Sequence, residues 1–264
     1  MHKNGPVALA FNALVIAFML APLVVVCVVA FTPENTLTLP TTHFSLRWFR
    51  AVFEHSDFVQ SFWNSLWLAL ASATLATVLA VPAGLAITRY EFAGRDFLNA
   101  LFLSPLIIPH LVLGVALLRM FTLVGGTGSA TWLLLAHALI VTPYTLRLVV
   151  AALVGFDRSA EQAAQSLGAG PFTVFWRITL PMILPGVTGG WMLAFINSFD
   201  EVTMSIFVTA PSTVTLPVRM YMYATESIDP MMAAVSALMV AGTAAAMVIL
   251  DRIYGLDKVL VGEK

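Results

Sequence analysis

The sequence predicts an all-α membrane protein, a bundle of six transmembrane helices that forms one domain over residues 1–264. Hydrophobic residues make up 59% of the chain and charged residues 10%, whereas about 25% of the residues of an ordinary soluble domain are charged. Long apolar runs recur along the chain, and crossing the hydrocarbon core of a bilayer takes about 20 such residues. These runs cover about residues 7–31, 60–88, 98–122, 130–154, 182–209 and 232–250.

The first run follows Lys3 closely, so a cleaved signal peptide is the alternative to a transmembrane helix. The apolar core of a signal peptide has about 7–15 residues, and the run over 7–31 is longer. We therefore expect an uncleaved first helix. Cys27 lies inside this run and is the only cysteine, so the chain cannot form an intramolecular disulfide.

The segment between the first two runs, residues 45–53, has the pattern of an amphipathic helix. Its apolar side chains recur at helical spacing, and arginines occupy the remaining face. A helix lying on the outer membrane surface is the simplest interpretation, and a docking site for a soluble binding protein is the alternative. The pattern consists of Leu46, Arg47, Phe49, Arg50, Val52 and Phe53.

Prolines and small residues mark the later runs. Pro105 and Pro109 interrupt the third run and Pro143 the fourth, which predicts kinks that neighbouring helices can accommodate. The glycines of segment 186–190 in the fifth run would allow two helix backbones to approach closely.

Positive charge is divided unevenly between the two sets of run ends, and an excess of lysine and arginine marks the cytoplasmic side. The ends on the side of the two termini hold most of these residues. Both termini and the loop over about 155–181 are therefore expected in the cytoplasm. The richer set is Lys3, Arg89, Arg95, Arg158, Arg177, Arg252, Lys258 and Lys264, and the poorer set is Arg47, Arg50 and Arg219.

The loop over 155–181 is a polar interruption between two apolar runs. Its small residues, a glycine and a proline predict two short helices joined by a turn outside the bilayer, with Ser159 and Gln162 forming a capping box at the first. We interpret this loop as a docking element that another protein recognises. Its marker residues are Ser159, Glu161, Gln162, Ala163, Ala164, Gly168, Ile178, Leu180 and Pro181.

The spacing from Gln162 to Pro181 resembles the E-A-A-x3-G-x9-I-x-L-P loop of the membrane subunits of binding-protein-dependent ABC importers. Gln162 stands where that family usually has glutamate, and Glu161 precedes it. The resemblance implies the MetI-like fold of type I ABC importer permeases, with this loop as the coupling helix that docks on an ATPase. It also implies a bacterial inner-membrane location and three kinds of partner: a second homologous permease, two ATPase subunits and an extracytoplasmic solute-binding protein.

The chain contains no G-x-x-x-x-G-K-[ST] phosphate-binding loop, so the ATPase must be a separate subunit. We therefore expect a transport subunit and not an enzyme, without a cofactor or metal of its own, while ATP and Mg²⁺ bind to the partner ATPase. A net charge of −1 gives no basic surface for nucleic acid.

Two adjacent acids, Asp200 and Glu201, lie in the fifth run, where charged side chains are costly and mark candidate functional sites. With Asn197 on nearly the same helix face, they are suited to attracting a cation. A structural role is equally open, in which one acid pairs with Arg119 or Arg147 of another helix.

A second resemblance covers residues 45–260 and is to spermidine/putrescine importer permeases of the subunit-C type. It implies that the chain forms half of a pathway for a polyamine. Tyr144, Trp191 and Phe195 are suited to an aromatic wall for such a solute, and simple packing within the bundle is the alternative. Aminoethylphosphonate, ferric iron or another solute is the alternative, as is an ion-coupled secondary transporter. The resemblance rests on residues 198–208, Leu216, Pro217, Asp229, Pro230, His137, Pro143, Tyr144 and Arg147.

Overall fold

The computed structural model describes residues 5–37, 43–227 and 229–254 of the chain. Every regular element within these residues is a helix, which confirms the all-α prediction. Residues up to 59 together with those from 220 form one compact unit, and residues 60–219 form a second. A single domain over 1–264 stays a prediction. Three residues of the charge count, Lys3, Lys258 and Lys264, lie outside the described residues.

The first unit contains α1 (Pro6–Val29), α2 (Arg47–Glu54) and α12 (Met231–Tyr254), and both α1 and α2 contact α12. The first helix is apolar and largely exposed, as expected of a helix that lipid surrounds. The second helix confirms a helix within 45–53, and its buried residues are Trp48 and Val52, whereas Leu46 and Phe53 of the predicted apolar face are exposed. The Trp48 indole N–H donates to the Glu34 carbonyl oxygen at 3.0 Å.

The second unit holds α4 to α10, nearly all of α3 and the start of α11, together with most of the apolar core. The core is formed by side chains of α3, α5, α6, α9 and α10. These helices, in chain order, are α3 (Ser56–Arg89), α4 (Arg95–Leu103), α5 (His110–Leu123), α6 (Ala130–Val154), α7 (Ser159–Ser166), α8 (Pro171–Val174), a π-helical segment (Phe175–Thr179), α9 (Leu180–Phe199), α10 (Ser205–Val208) and α11 (Leu216–Glu226).

Two glycines bring α9 against α6, as predicted for segment 186–190. A Cβ atom on Gly186 would lie 2.5 Å from the Ala152 Cβ and 2.9 Å from the Leu148 carbonyl oxygen. One turn later, a Cβ on Gly190 would lie 3.0 Å from the Thr145 Cα. The Thr145 hydroxyl donates to the Gly190 carbonyl oxygen at 3.1 Å. Small residues at this crossing therefore allow contact of backbone with backbone.

The predicted third span over 98–122 is broken and not merely kinked. Helical residues Arg95–Leu106 and His110–Leu123 form two arms that meet at 102°. Prolines flank the break: Pro105 lies in the 3₁₀ turn Ser104–Leu106 and has no N–H to donate, and Pro109 directly precedes α5 and disfavours helical geometry in Ile108. The bend separates the two arms at residues 107–109.

The predicted fifth span over 182–209 is too long. Helix α9 ends at Phe199, with Asp200 as its C-cap, and a separate short helix begins at Ser205. The Glu201 carboxylate accepts a hydrogen bond from the Met204 N–H at 2.6 Å, which stabilises the turn between the two helices. The acids therefore lie beyond the helix and not within it.

Four helices in the described part of the chain are long and apolar enough to cross a membrane, or five if the bent pair counts as one span. Three of them, α1, α3 and α6, closely match predicted runs. The sixth predicted span corresponds to α12, whose described apolar stretch is Met231–Ala245. Six spans stay a prediction.

Candidate functional site

The loop between α6 and α9 begins with helix α7 and a glycine turn, as predicted. Gly168 has φ +90°, in the left-handed region that glycine adopts without strain. The Gly168 N–H donates to the Gln165 carbonyl oxygen at 2.9 Å, and the Ala169 N–H donates to the Ala164 carbonyl oxygen at 3.0 Å. These two bonds form a Schellman motif, which ends the helix.

The second predicted short helix is not closed by Pro181. Instead, the chain stays helical from Pro171 through Phe199 and passes through the π-helical segment Phe175–Thr179. A π-turn shifts the hydrogen-bond register, and here it directly precedes Leu180 and Pro181, where the proline has no N–H to donate. The docking loop is therefore continuous with the fifth transmembrane segment.

The predicted capping box of Ser159 and Gln162 is wrong. Ser159 already lies inside α7, and Arg158 is the N-cap residue. The cap comes from Asp157, whose carboxylate accepts from the Ser159 N–H at 3.0 Å and from the Ser159 hydroxyl at 2.9 Å. These hydrogen bonds, from the N–H first and then from the hydroxyl, lower the pKa of the Asp157 carboxyl.

Glu161 is buried, with 7% of its surface exposed. Its Oε1 atom accepts hydrogen bonds from the Arg89 guanidinium at 3.3 Å and from the Thr179 hydroxyl at 2.5 Å. Glu161 was predicted to dock on the ATPase, but its carboxylate contacts this chain's own helices. Of the other marker residues, Ser159, Gln162, Ala163, Gly168 and Pro181 are exposed, while Ala164, Ile178 and Leu180 are partly buried.

Three large apolar side chains of the loop are exposed, and none of them is among the predicted docking residues. Leu167 is 89% exposed, Phe172 77% and Trp176 53%. The Phe172 and Trp176 rings meet edge to face with centroids 6.0 Å apart. Large apolar residues within an otherwise polar loop are the feature of the sequence that could have identified these positions. Together with Gln162, these three residues form what we term the docking face.

Three aromatic rings of α9 form a stack that we term the aromatic ladder: Trp191, Phe195 and Phe199. The Trp191 and Phe195 rings are nearly parallel, with centroids 5.6 Å apart, and the Phe195 and Phe199 centroids are 6.0 Å apart. The Trp191 indole N–H donates to the Thr74 hydroxyl of α3 at 3.1 Å. Thr74 also lines an open groove of about 520 Å³ along α3. Tyr144 lies on α6 and is not part of the ladder.

The two candidate acids occupy different environments. Asp200 directly follows the aromatic ladder and is exposed, whereas Glu201 is 7% exposed. The second Glu201 oxygen lies 2.8 Å from the His110 Nδ1 atom, so its side-chain partner is a histidine and not Arg119 or Arg147. Asn197 donates to the Leu193 carbonyl oxygen of its own helix at 2.8 Å. Asp200 is therefore the acid that is accessible to a solute.

A buried hydrogen-bonded network joins four helices around His137. Its Nδ1 atom lies 2.9 Å from the Ser198 hydroxyl and its Nε2 atom 2.9 Å from the Ser205 hydroxyl. The Ser72 hydroxyl donates to the Ser198 hydroxyl at 2.8 Å. Both ring nitrogens are thus engaged, and His137 is buried away from any solute. This network links α3, α6, α9 and α10.

Replacing Gly168 with alanine is expected to weaken the docking loop. A side chain in the left-handed region costs about 1–2 kcal/mol, although open space surrounds this position. The matched control is Gly170→Ala, which also has open space but an ordinary φ of −69°. Solute uptake by membranes carrying each variant is the measurement, and only Gly168→Ala should lower it. Equal uptake by the two variants would contradict the need for this turn.

The comparisons with known proteins agree with this geometry. Residues 76–256 match the family described as "Binding-protein-dependent transport system inner membrane component". The spermidine/putrescine transport system permease protein PotC of Escherichia coli K12 is 29% identical over 94% of this chain and 93% of its own. The protein of the same name from Haemophilus influenzae is 31% identical over 88% of this chain and 90% of its own.

Among solved structures, the chain resembles the crystal structure of a bacterial ABC transporter involved in the import of the acidic polysaccharide alginate. The TM-score is 0.71 at 14% sequence identity, over 96% of this chain and 98% of that one. This likeness confirms the fold of type I ABC importer permeases. The apolar helices of this chain make it a multi-pass protein of the inner membrane. The chain belongs to the family of binding-protein-dependent transport system inner membrane components.

Proposed function

We propose that this chain is a permease subunit of an ATP-driven importer and that its docking face binds an ATPase subunit. The observation that carries the proposal is an exposed helix-turn segment with three exposed apolar side chains, continuous with a transmembrane helix. Exposed apolar side chains grouped in one segment are typical of surfaces that bind another protein. The absent phosphate-binding loop assigns hydrolysis to that partner.

The proposed complex contains this chain, a second homologous permease, two ATPase subunits and an extracytoplasmic solute-binding protein. ATP and Mg²⁺ bind to the ATPase subunits, and this chain holds no cofactor. Both termini lie in the cytoplasm, on the same side as the docking face. The excess of arginine at the ends of α3, α4 and the docking loop supports this orientation.

The proposed solute is a polyamine, and the chain supplies half of its pathway. The curated relatives named above carry spermidine and putrescine in their names. The aromatic ladder and Asp200 suit such a solute, because the faces of aromatic rings attract ammonium groups and a carboxylate pairs with them. A cation over an aromatic face gains about 0.5–1 kcal/mol at an exposed site.

Asp200→Asn is expected to weaken polyamine uptake about tenfold or more, since a hydrogen bond to a charged group contributes about 1.5–3 kcal/mol. The matched control is Glu226→Gln, which neutralises another exposed acid outside the proposed pathway. Initial rates of labelled spermidine and putrescine uptake at varied concentration provide the measurement. An unchanged KM in Asp200→Asn would remove this acid from the solute site.

The transporter class is tested by mild detergent extraction of the tagged chain from its native membrane. An ATPase and a second permease should co-purify, and the ATPase activity should rise when polyamine and the binding protein are added. Uptake that follows an ion gradient without any ATPase would instead favour a secondary transporter. Competition by aminophosphonates or iron chelates, and not by polyamines, would change the solute while keeping the class.

A further inference from the structure

The buried carboxylate of Glu161 joins three separate parts of the second unit. It belongs to α7 in the docking loop, Arg89 is the last residue of α3, and Thr179 is the last residue of the π-helical segment that precedes α9. We propose that Glu161 is a positioning residue that makes the docking loop move together with α3 and α9, and that it does not contact the ATPase. This inference rests on the proposed function.

The geometry concentrates these contacts on one oxygen atom. Glu161 Oε1 accepts from both Arg89 and Thr179, at 3.3 and 2.5 Å. The Arg89 side chain is only 9% exposed, and its guanidinium carbon lies 5.5 Å from the centroid of the Phe156 ring. Thr179 is 3% exposed. The cluster is therefore enclosed on the side of the membrane helices, away from the docking face.

Because these polar groups are buried, separating α7 from α3 and from the π-helical segment is unfavourable. Pulling α7 away from α3 would leave a carboxylate and a guanidinium without their partners in a poorly hydrated place, which is strongly unfavourable. Pulling it away from the π-helical segment would break the buried hydrogen bond from Thr179. Arg158 contributes less, because its Nε atom is 3.7 Å from the other carboxylate oxygen and its side chain is 55% exposed. A displacement of the docking loop is thus transmitted to the ends of two transmembrane helices.

The exposed neighbour Gln162 is expected to have a different role from the buried Glu161. It is one residue from Glu161 but points to the surface, on the docking face. Loss of the Gln162 side chain should weaken ATPase binding. Loss of the Glu161 carboxylate should leave ATPase binding intact but lower the amount of solute imported per ATP hydrolysed. Adjacent residues of one helix would then carry two different functions, contact and transmission.

The test uses the whole complex purified through this chain and reconstituted in liposomes with its binding protein. Four variants are compared: Glu161→Ala, Thr179→Val, Thr179→Ser and the control Glu91→Gln, an exposed acid just after α3. Two quantities are measured, the ATPase recovered per permease and the solute imported per ATP hydrolysed. The second is a ratio, so a mere loss of folded protein does not change it.

Glu161→Ala should lower the import ratio by about tenfold, within the usual range of coupling between sites, while the recovered ATPase stays at the wild-type level. Thr179→Val should lower it by about threefold, Thr179→Ser should restore it, and Glu91→Gln should have no effect. An unchanged ratio in both Glu161→Ala and Thr179→Val, or loss of the ATPase from Glu161→Ala, overturns the inference alone. Absence of an ATPase from the wild-type complex overturns the proposed function, and the inference with it.

Discussion

Gly186→Ala is expected to lower the free energy of unfolding by about 1–3 kcal/mol, the usual effect of overpacking a core. The added methyl group would lie 2.5 Å from the Ala152 Cβ and 2.9 Å from the Leu148 carbonyl oxygen. Neither atom is the end of a flexible side chain, so the methyl can be accommodated only if α6 and α9 move apart. That movement would also strain the bond from Thr145 to Gly190.

Gly189→Ala, three residues later in the same helix, is the matched control for this prediction. Its Cβ would meet only the Leu148 Cδ1 atom, at an ordinary 3.5 Å. Both variants make the same change in helix propensity, so the difference between them isolates the effect of packing. Thermal unfolding of the chain in detergent is the measurement. Equal midpoints for the two variants would show that the helices are not held at this distance.

Glu201→Ala is expected to destabilise the chain by about 1–3 kcal/mol, because it leaves a buried backbone N–H without its acceptor. The Met204 N–H is buried and would lose its acceptor, and His110 would lose its side-chain partner across the bend. The turn after α9 and the start of α5 would separate. We expect less folded protein and, in proportion, less uptake.

The neighbouring acid distinguishes this structural role from solute contact. Asp200→Ala should leave unfolding nearly unchanged because Asp200 is exposed, while it lowers uptake. Glu201→Gln should be milder than Glu201→Ala, since an amide oxygen can still accept from the Met204 N–H. A stable Glu201→Ala variant with lost polyamine uptake would reverse these assignments and place Glu201 in the pathway.

Continuous apolar composition was sufficient to predict the long regular helices. The bounds of α1, α3 and α6 lie within a few residues of the predicted runs, because length and hydropathy alone determine such segments. The end of α9 could not be predicted in this way. Residues 202–208 are again largely apolar, and the helix ends where the Glu201 carboxylate binds a backbone N–H. Hydropathy carries no information about such a local contact.

The docking loop shows the same limit at the level of single side chains. Its position and its glycine turn could be predicted, since Gly168 supplies a backbone conformation that few residues adopt. The orientation of Glu161 could not, because its partners are 72 residues earlier and 18 residues later in the chain. Only the fold brings these groups together, so a motif identifies the loop without telling which of its residues face outward.

The regular spacing of the rings in the aromatic ladder affects how a solute would move along α9. Its rings recur every four residues, so a cation displaced by one helical turn, about 5.4 Å, meets a nearly equivalent ring. Such a repeating surface offers several shallow energy minima in place of one deep minimum. Conduction requires binding that is favourable enough for entry and weak enough for release. In the proposed pathway, the solute would therefore advance by small steps along the aromatic ladder, and the stronger pairing with a carboxylate would be confined to Asp200 at its end.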